Sequence, residues 1–271
     1  MNNRPIGVFD SGLGGLCAVR ELRKLMPDEN IIYFGDTGRM PYGGRPAAEI
    51  RRMARQNIGF AESFGVKAIL VACGTISSNA ADILAENETK AVGVLLSGTK
   101  ELCGTGKKRL GVIATKTSIG SGSFQREISR QRPDAEITAV ACPEFVPLIE
   151  SGHFDPDDPM VRDSVARTLK PLKDAGTEAL LLGCTHYGII AEAISNYLGS
   201  DVILVGAADA AAREMCGYLR DNGMECGEGG SESYFTSGDT EDFDRLAPIM
   251  LGYPLMSEVR YVKPFPVEDT E

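Results

Sequence analysis

Short apolar runs rich in β-branched residues, at 5–9, 31–34, 67–72, 92–96, 110–114, 136–141, 179–182, 202–205 and 233–236, alternate with segments of helical period at 16–25, 47–64, 121–130, 161–175 and 209–221. Continuous apolar strands spaced by amphipathic helices are the signature of a parallel sheet covered on both faces, because parallel strands need helical crossovers and are then buried on both sides. The expectation is therefore an α/β fold. An internal echo refines it. Ile6-Gly7-Val8 and Leu110-Gly111-Val112 open two similar stretches, and each leads to a strand that exits into a cysteine: Leu70-Val71-Ala72-Cys73-Gly74-Thr75 and Leu181-Leu182-Gly183-Cys184-Thr185-His186. The repeat predicts two doubly wound, mainly parallel domains related by pseudo-twofold symmetry, with the active site in the cleft between them. The polar, Gly-rich stretch 97–108 marks the first boundary and Gly206 the second. The first domain is then 1–97 plus 207–271, the second 98–206, and the end of the chain from Met256 reads as a surface extension.

The 271 residues, 43% of them hydrophobic, suffice for such cores without disulfide or metal staples. A net charge of −10, with no Lys/Arg-rich stretch, argues against nucleic acid or an anionic membrane as partner. The N-terminus runs directly into a strand, and no apolar run is long enough to span a bilayer, which predicts a cytoplasmic protein. Seven cysteines without CxxC spacing suggest neither a disulfide framework nor a zinc site, and most read as small buried apolar residues.

Chemistry concentrates at the strand exits, where doubly wound sheets bind ligands. Asp10-Ser11-Gly12-Leu13-Gly14-Gly15 offers a carboxylate and backbone N–H groups, or simply a capped turn. A dinucleotide site fits poorly, since Cys17 stands where a third glycine is needed and Asp36 is only a weak match to a ribose-binding acid. The loop Asp36 to Arg45, with Tyr42 and its flanking glycines, could hold a carboxylate or be an ordinary βα connection. A cysteine between a buried strand and a helix start is expected to have its thiolate favoured by the helix dipole. One such cysteine is more often structural. Two at matching positions favour function, and His186 follows Cys184 closely enough to take up or relay its proton. One thiol with a histidine would suggest hydrolysis or amide transfer. Two opposed thiols instead satisfy racemisation, which needs an acid on one face of a carbon and a base on the other. The only other histidine, His153, sits in a Gly/Asp/Pro loop that reads as surface.

Over nearly its whole length the chain resembles the glutamate racemase family. The resemblance rests on Phe9-Asp10-Ser11-Gly12-Leu13-Gly14-Gly15, Gly35-Asp36-Thr37 with Pro41-Tyr42-Gly43, Cys73-Gly74-Thr75, Gly111-Val112-Ile113-Ala114-Thr115 with Ser118, Ala141-Cys142-Pro143 through Glu150, Gly183-Cys184-Thr185-His186-Tyr187, and Tyr234 through Asp239. It implies interconversion of L- and D-glutamate for peptidoglycan without metal or organic cofactor, and a homodimer. It also implies that Cys73 acts on the D-enantiomer with Asp10, and Cys184 on the L-enantiomer with His186 and Glu150. Ser11, Tyr42, Gly43, Gly74, Thr75, Thr115, Ser118 and Thr185 would bind substrate. The family pattern Cys-Asn-Thr reads Cys73-Gly74-Thr75 here, so a side-chain amide is missing. That departure leaves two further readings: a racemase of another amino acid, or a non-catalytic paralogue that binds an acidic amino acid.

Overall fold

The computed structural model describes residues 2–263. Its strands are β1 (Ile6–Asp10), β2 (Ile31–Gly35), β3 (Ala68–Val71), β4 (Ala91–Gly93), β5 (Arg109–Ala114), β6 (Glu136–Ala141), β7 (Ala179–Leu182), β8 (Ile203–Gly206), β9 (Glu232–Thr236) and β10 (Val259–Tyr261). They form two sheets, one of order β10-β9-β2-β1-β3-β4 and one of order β6-β5-β7-β8. Every pairing is parallel. The order β2-β1-β3-β4 in the first sheet recurs as β6-β5-β7-β8 in the second, so the echo in the sequence is an echo in topology. In each sheet the strand order reverses around its first strand, at β1/β3 and at β5/β7. The crevice outside the carboxyl ends of those strands is where such folds bind ligands.

The helices form where apolar residues recur at helical spacing. Leu16–Leu25 buries Leu16, Val19 and Leu22 on one face and places Arg23 and Lys24 in its last turn, where the helix dipole favours cations. Ala47–Glu62 buries Ile50, Met53, Ala54, Asn57, Ile58 and Ala61. The crossover helices Val94–Gly104 and Ala207–Asp221 pack on each other, and one apolar cluster runs without a break from Val8 in β1 to Val112 in β5.

Two readings of the sequence are corrected. The run 92–96 was expected as strand, but β4 stops at Gly93 and Val94 opens a helix that occupies most of the polar stretch 97–108, burying Ser97, Gly98, Thr99, Leu102 and Cys103. A short buried apolar run has no periodicity that separates strand from helix. The stretch from Met256 was expected as a surface extension, yet Val259–Tyr261 extends the first sheet by pairing with β9. Residues 264–271 of that stretch lie outside the described residues. Among the described residues, no helix is long and apolar enough to cross a membrane.

Cys17, Cys73, Cys103, Cys142 and Cys216 are buried, as expected for most of the thiols. Burial is the main influence on those of Cys17 and Cys73, pushed up to about 12, and of Cys216, pushed up to about 11, from an ordinary 9.0. The native state therefore keeps protons that the unfolded chain releases, so stability fully present below pH 9 is lost as the pH rises toward these native values. Melting temperature is expected to fall continuously from pH 9 to 11, and less steeply in Cys17→Ala. Calorimetric melts in that range check this, and a flat profile contradicts it.

Candidate active site

Both sheets turn their carboxyl ends toward one cleft of about 500 Å³. From the first sheet come Asp10 and Ser11 after β1, Tyr42 and Gly43 after β2, and Cys73, Gly74 and Thr75 after β3. From the second come Thr115 and Ser118 after β5, Glu150 after β6, and Cys184, Thr185 and His186 after β7. Every residue that the resemblance marks as catalytic or substrate-binding thus lines the same cleft, with one thiol from each sheet.

On the first side, Asp10 does two things that the sequence offered as alternatives. Its carboxylate accepts the backbone N–H of Ser11 at 2.8 Å and of Gly15 at 2.9 Å, fixing the glycine-rich turn at the start of Leu16–Leu25. It also lies close enough to Cys73 for its charge to act on that thiol. The Cys73 thiol donates to the Ser11 hydroxyl at 3.4 Å. Burial first, and then Asp10, hold this thiol up at about 12, against the Ser11 hydroxyl and the backbone N–H groups of Ile76 and Ser11, which pull it down. The expectation that the following helix start would favour a thiolate is therefore reversed for Cys73. Desolvation and an adjacent carboxylate outweigh the backbone donors.

On the second side, Nδ1 of His186 lies 3.8 Å from the Cys184 sulfur, and Nε2 lies 3.1 Å from Glu150 Oε1. Burial, the largest single influence on His186, pushes its pKa down. The hydrogen bonds and charges of Cys184 and Glu150 together exceed it and hold the imidazole up at about 10. The two sulfurs thus have opposite neighbours: the Asp10 carboxylate beside Cys73, and beside Cys184 the His186 imidazole, whose pKa is held up at about 10. Replacing Glu150 by Gln removes one of the raising influences, so the His186 midpoint is expected to fall below about 10. With only two histidines in the chain, NMR titration reads this directly, and an unmoved midpoint contradicts the assignment.

The remaining residues build the walls. Tyr42 lines the cleft, but its hydroxyl donates to Asp36 and accepts from Asn57 Nδ2 at 3.1 Å. Asp36 is fully buried, and it also accepts from Ser237 Oγ at 2.6 Å and Arg39 Nε at 2.7 Å. The acid weighed as a weak ribose ligand is thus the hub of a buried network that holds the Pro41–Gly44 wall. Thr115 caps Lys116–Gly120 by accepting the Ser118 N–H, and its hydroxyl donates to Ser118 Oγ at 3.0 Å. Gly74 lacks a side chain at a close approach, since a Cβ there would lie 3.0 Å from the Gly183 carbonyl oxygen and 3.8 Å from Ser118 Oγ. His153 is away from the cleft and bonds Asp158 at 2.7 Å.

Sequence reasoning missed Thr117, whose Oγ1 accepts the Gly44 N–H at 2.8 Å and ties the two sides together at the cleft mouth. The flanking pair Thr115 and Ser118 was the available signal. It also missed the second influence of the glycine-rich turn, the placement of Gly14 against His186. No spacing in the chain reveals a contact between those two segments. Among the described residues no group of three or more His, Cys, Asp or Glu is arranged to hold a metal ion.

Comparison with known proteins agrees with this architecture. A family model described as Asp/Glu/Hydantoin racemase matches residues 17–215. A protein named glutamate racemase from Exiguobacterium sibiricum is 39% identical over 263 residues, covering 94% of this chain and 95% of its own. The crystal structure of glutamate racemase from Francisella tularensis in complex with D-glutamate superposes with a TM-score of 0.89 at 33% identity, covering 97% of this chain and 99% of that one. Glutamate racemase from Thermus thermophilus, in complex with beta-chloro-D-alanine, superposes with a TM-score of 0.86 at 39% identity, covering 96% and 97%. A match spanning both sheets and both cysteine-bearing strand exits shows what the chain is: it belongs to the Asp/Glu/Hydantoin racemase family, as an amino-acid racemase.

Proposed function

We propose that this protein interconverts L- and D-glutamate by two-thiol proton transfer at Cα, supplying the D-enantiomer for peptidoglycan. The observation that carries the reading is that Cys73 and Cys184 enter one cleft from different sheets, each with its own acid/base neighbour. In the L-to-D direction Cys184, beside His186, takes the α-proton. Cys73 then delivers its thiol proton to the opposite face, and the roles exchange in the reverse direction. The substrate ammonium, drawn toward Asp10, offsets the carboxylate that holds the Cys73 proton tightly, so binding brings that thiol nearer to transfer. Hydroxyls of Ser11, Thr75, Ser118 and Thr185 and the backbone of Gly43 and Gly74 supply donors for the two carboxylates, and the Thr115 hydroxyl, which donates to Ser118 Oγ, orients that residue. Fixed donors in a partly desolvated cleft are what a carbanion-like transition state needs. The segments 1–97 with 207–271 and 98–206 act as the two domains that enclose it.

The test is incubation of the purified protein with each enantiomer of glutamate, followed by circular dichroism. Loss of optical activity from both is expected, and no change from either sinks the proposal. Gly74 favours one alternative, racemisation of a different amino acid, because the family's amide is replaced by bare backbone. A panel of amino acids decides it, and a wide preference for glutamate rejects it.

A further inference from the structure

The turn that follows β1 touches the acid/base machinery on both sides of the cleft. At its start, Asp10 and Ser11 face Cys73. At its far end, the backbone of Gly14 lies directly against the second side. A Cβ on Gly14 would fall 2.2 Å from Nδ1 and 2.4 Å from Cε1 of His186, and 2.5 Å from Thr185 Oγ1. No real Cβ tolerates such distances, and none of these atoms is the free end of a flexible chain. His186 is held between Glu150 and Cys184, with only 6% of its surface exposed, and Thr185 is buried as the first residue of the helical turn Thr185–Ile190. The nitrogen that meets Gly14 is the one that faces the Cys184 sulfur. The turn itself cannot easily retreat, because the Asp10 carboxylate grips it through the N–H groups of Ser11 and Gly15.

We propose that Gly14 is a positioning residue for His186: its bare backbone forms the surface against which the imidazole rests, so the turn that carries the Cys73 partner residues also sets the geometry of the Cys184 pair. The inference rests on the proposed roles of Cys184 and His186. It gives the turn a mechanical meaning, since one rigid segment references both proton-transfer sites to each other. A side chain at position 14 must move either the ring or the turn. Moving the ring separates Nδ1 from the sulfur and Nε2 from Glu150.

The test is Gly14→Ala, with folding checked by circular dichroism and melting temperature. A misplacement of this order lowers kcat by about tenfold to a hundredfold, and KM for D-glutamate is expected to change little. The NMR titration midpoint of His186 should fall, because the ring loses partners that hold its proton, while that of His153 stays in place. A folded Gly14→Ala protein with wild-type kcat, or with lost activity and an unmoved His186 titration, overturns the inference. Should the variant fail to fold, the wild-type protein decides the question. A nuclear Overhauser cross-peak between the Gly14 α-protons and His186 Hε1 supports the contact, and its absence overturns it. Failure of the underlying reading looks different: Cys184→Ala would then racemise glutamate normally, whatever the Gly14 contact shows.

Discussion

Replacing Cys73 or Cys184 by alanine, one at a time, is expected to lower the rate of glutamate racemisation by about 10²–10⁴-fold, the contribution typical of a positioned acid/base group. The loss should be of turnover and not of folding, since each cysteine lies just beyond a strand whose apolar partners remain. The two variants should also differ. Cys73→Ala retains Cys184 with His186, so in D2O it should still exchange the α-proton of L-glutamate without inverting it. Cys184→Ala retains Cys73 with Asp10 and should exchange only D-glutamate. Proton NMR of each enantiomer separates these outcomes. Racemisation at the wild-type rate by either variant contradicts the assignment.

Away from the cleft, the largest expected effect on stability is that of Lys67→Met. Lys67 and Glu29 are buried at the amino ends of β3 and β2, with Nζ 2.5 Å from Glu29 Oε2. The ammonium also donates to the carbonyls of Asn2 at 2.9 Å and Met224 at 2.8 Å, while Glu29 Oε1 accepts the Cys226 N–H at 2.8 Å. One cation therefore joins the first residues, the first sheet and the connection before β9. Methionine preserves the bulk of the chain but leaves a buried carboxylate without its cation, which costs about 3–5 kcal/mol. For a protein of this size that corresponds to a drop in Tm of roughly 10 °C. The double variant Lys67→Met/Glu29→Leu should recover much of it, because no charge is then stranded. Thermal melts of the three proteins check the prediction, and a single variant that melts within experimental error of the parent contradicts it.

The α/β reading was legible because parallel strands leave continuous apolar runs, and the cysteine at each strand exit was legible because the local pattern repeats. Where the structure departs, local pattern did not carry the information. Val94 to Leu96 could satisfy a strand or a buried helix equally well. The strand Val259–Tyr261 is short and pairs with a segment far enough back in the chain that only the assembled sheet reveals it. The residues expected at the site do line one cleft, whereas their protonation and orientation were not legible in the sequence. Cys73 follows the strand-to-helix pattern of an activated thiol, yet burial and Asp10 hold its proton. Tyr42 sits in a loop that lines the cleft, yet its hydroxyl is committed to Asp36, a residue six positions away whose burial no periodicity announces. Contacts between the two sides, such as Thr117 with Gly44 and Gly14 with His186, arise only when the sheets meet.

The central claim is that two different thiols serve opposite faces of one carbon, and the early partition of deuterium tests it most directly. When L-glutamate is converted in D2O and sampled before equilibrium, the D-glutamate formed should carry deuterium at Cα, delivered by Cys73, while the remaining L-glutamate stays protonated. Product that retains the substrate proton, or deuterium entering L-glutamate as fast as it enters D-glutamate, would point to a single group acting on both faces and contradict the account.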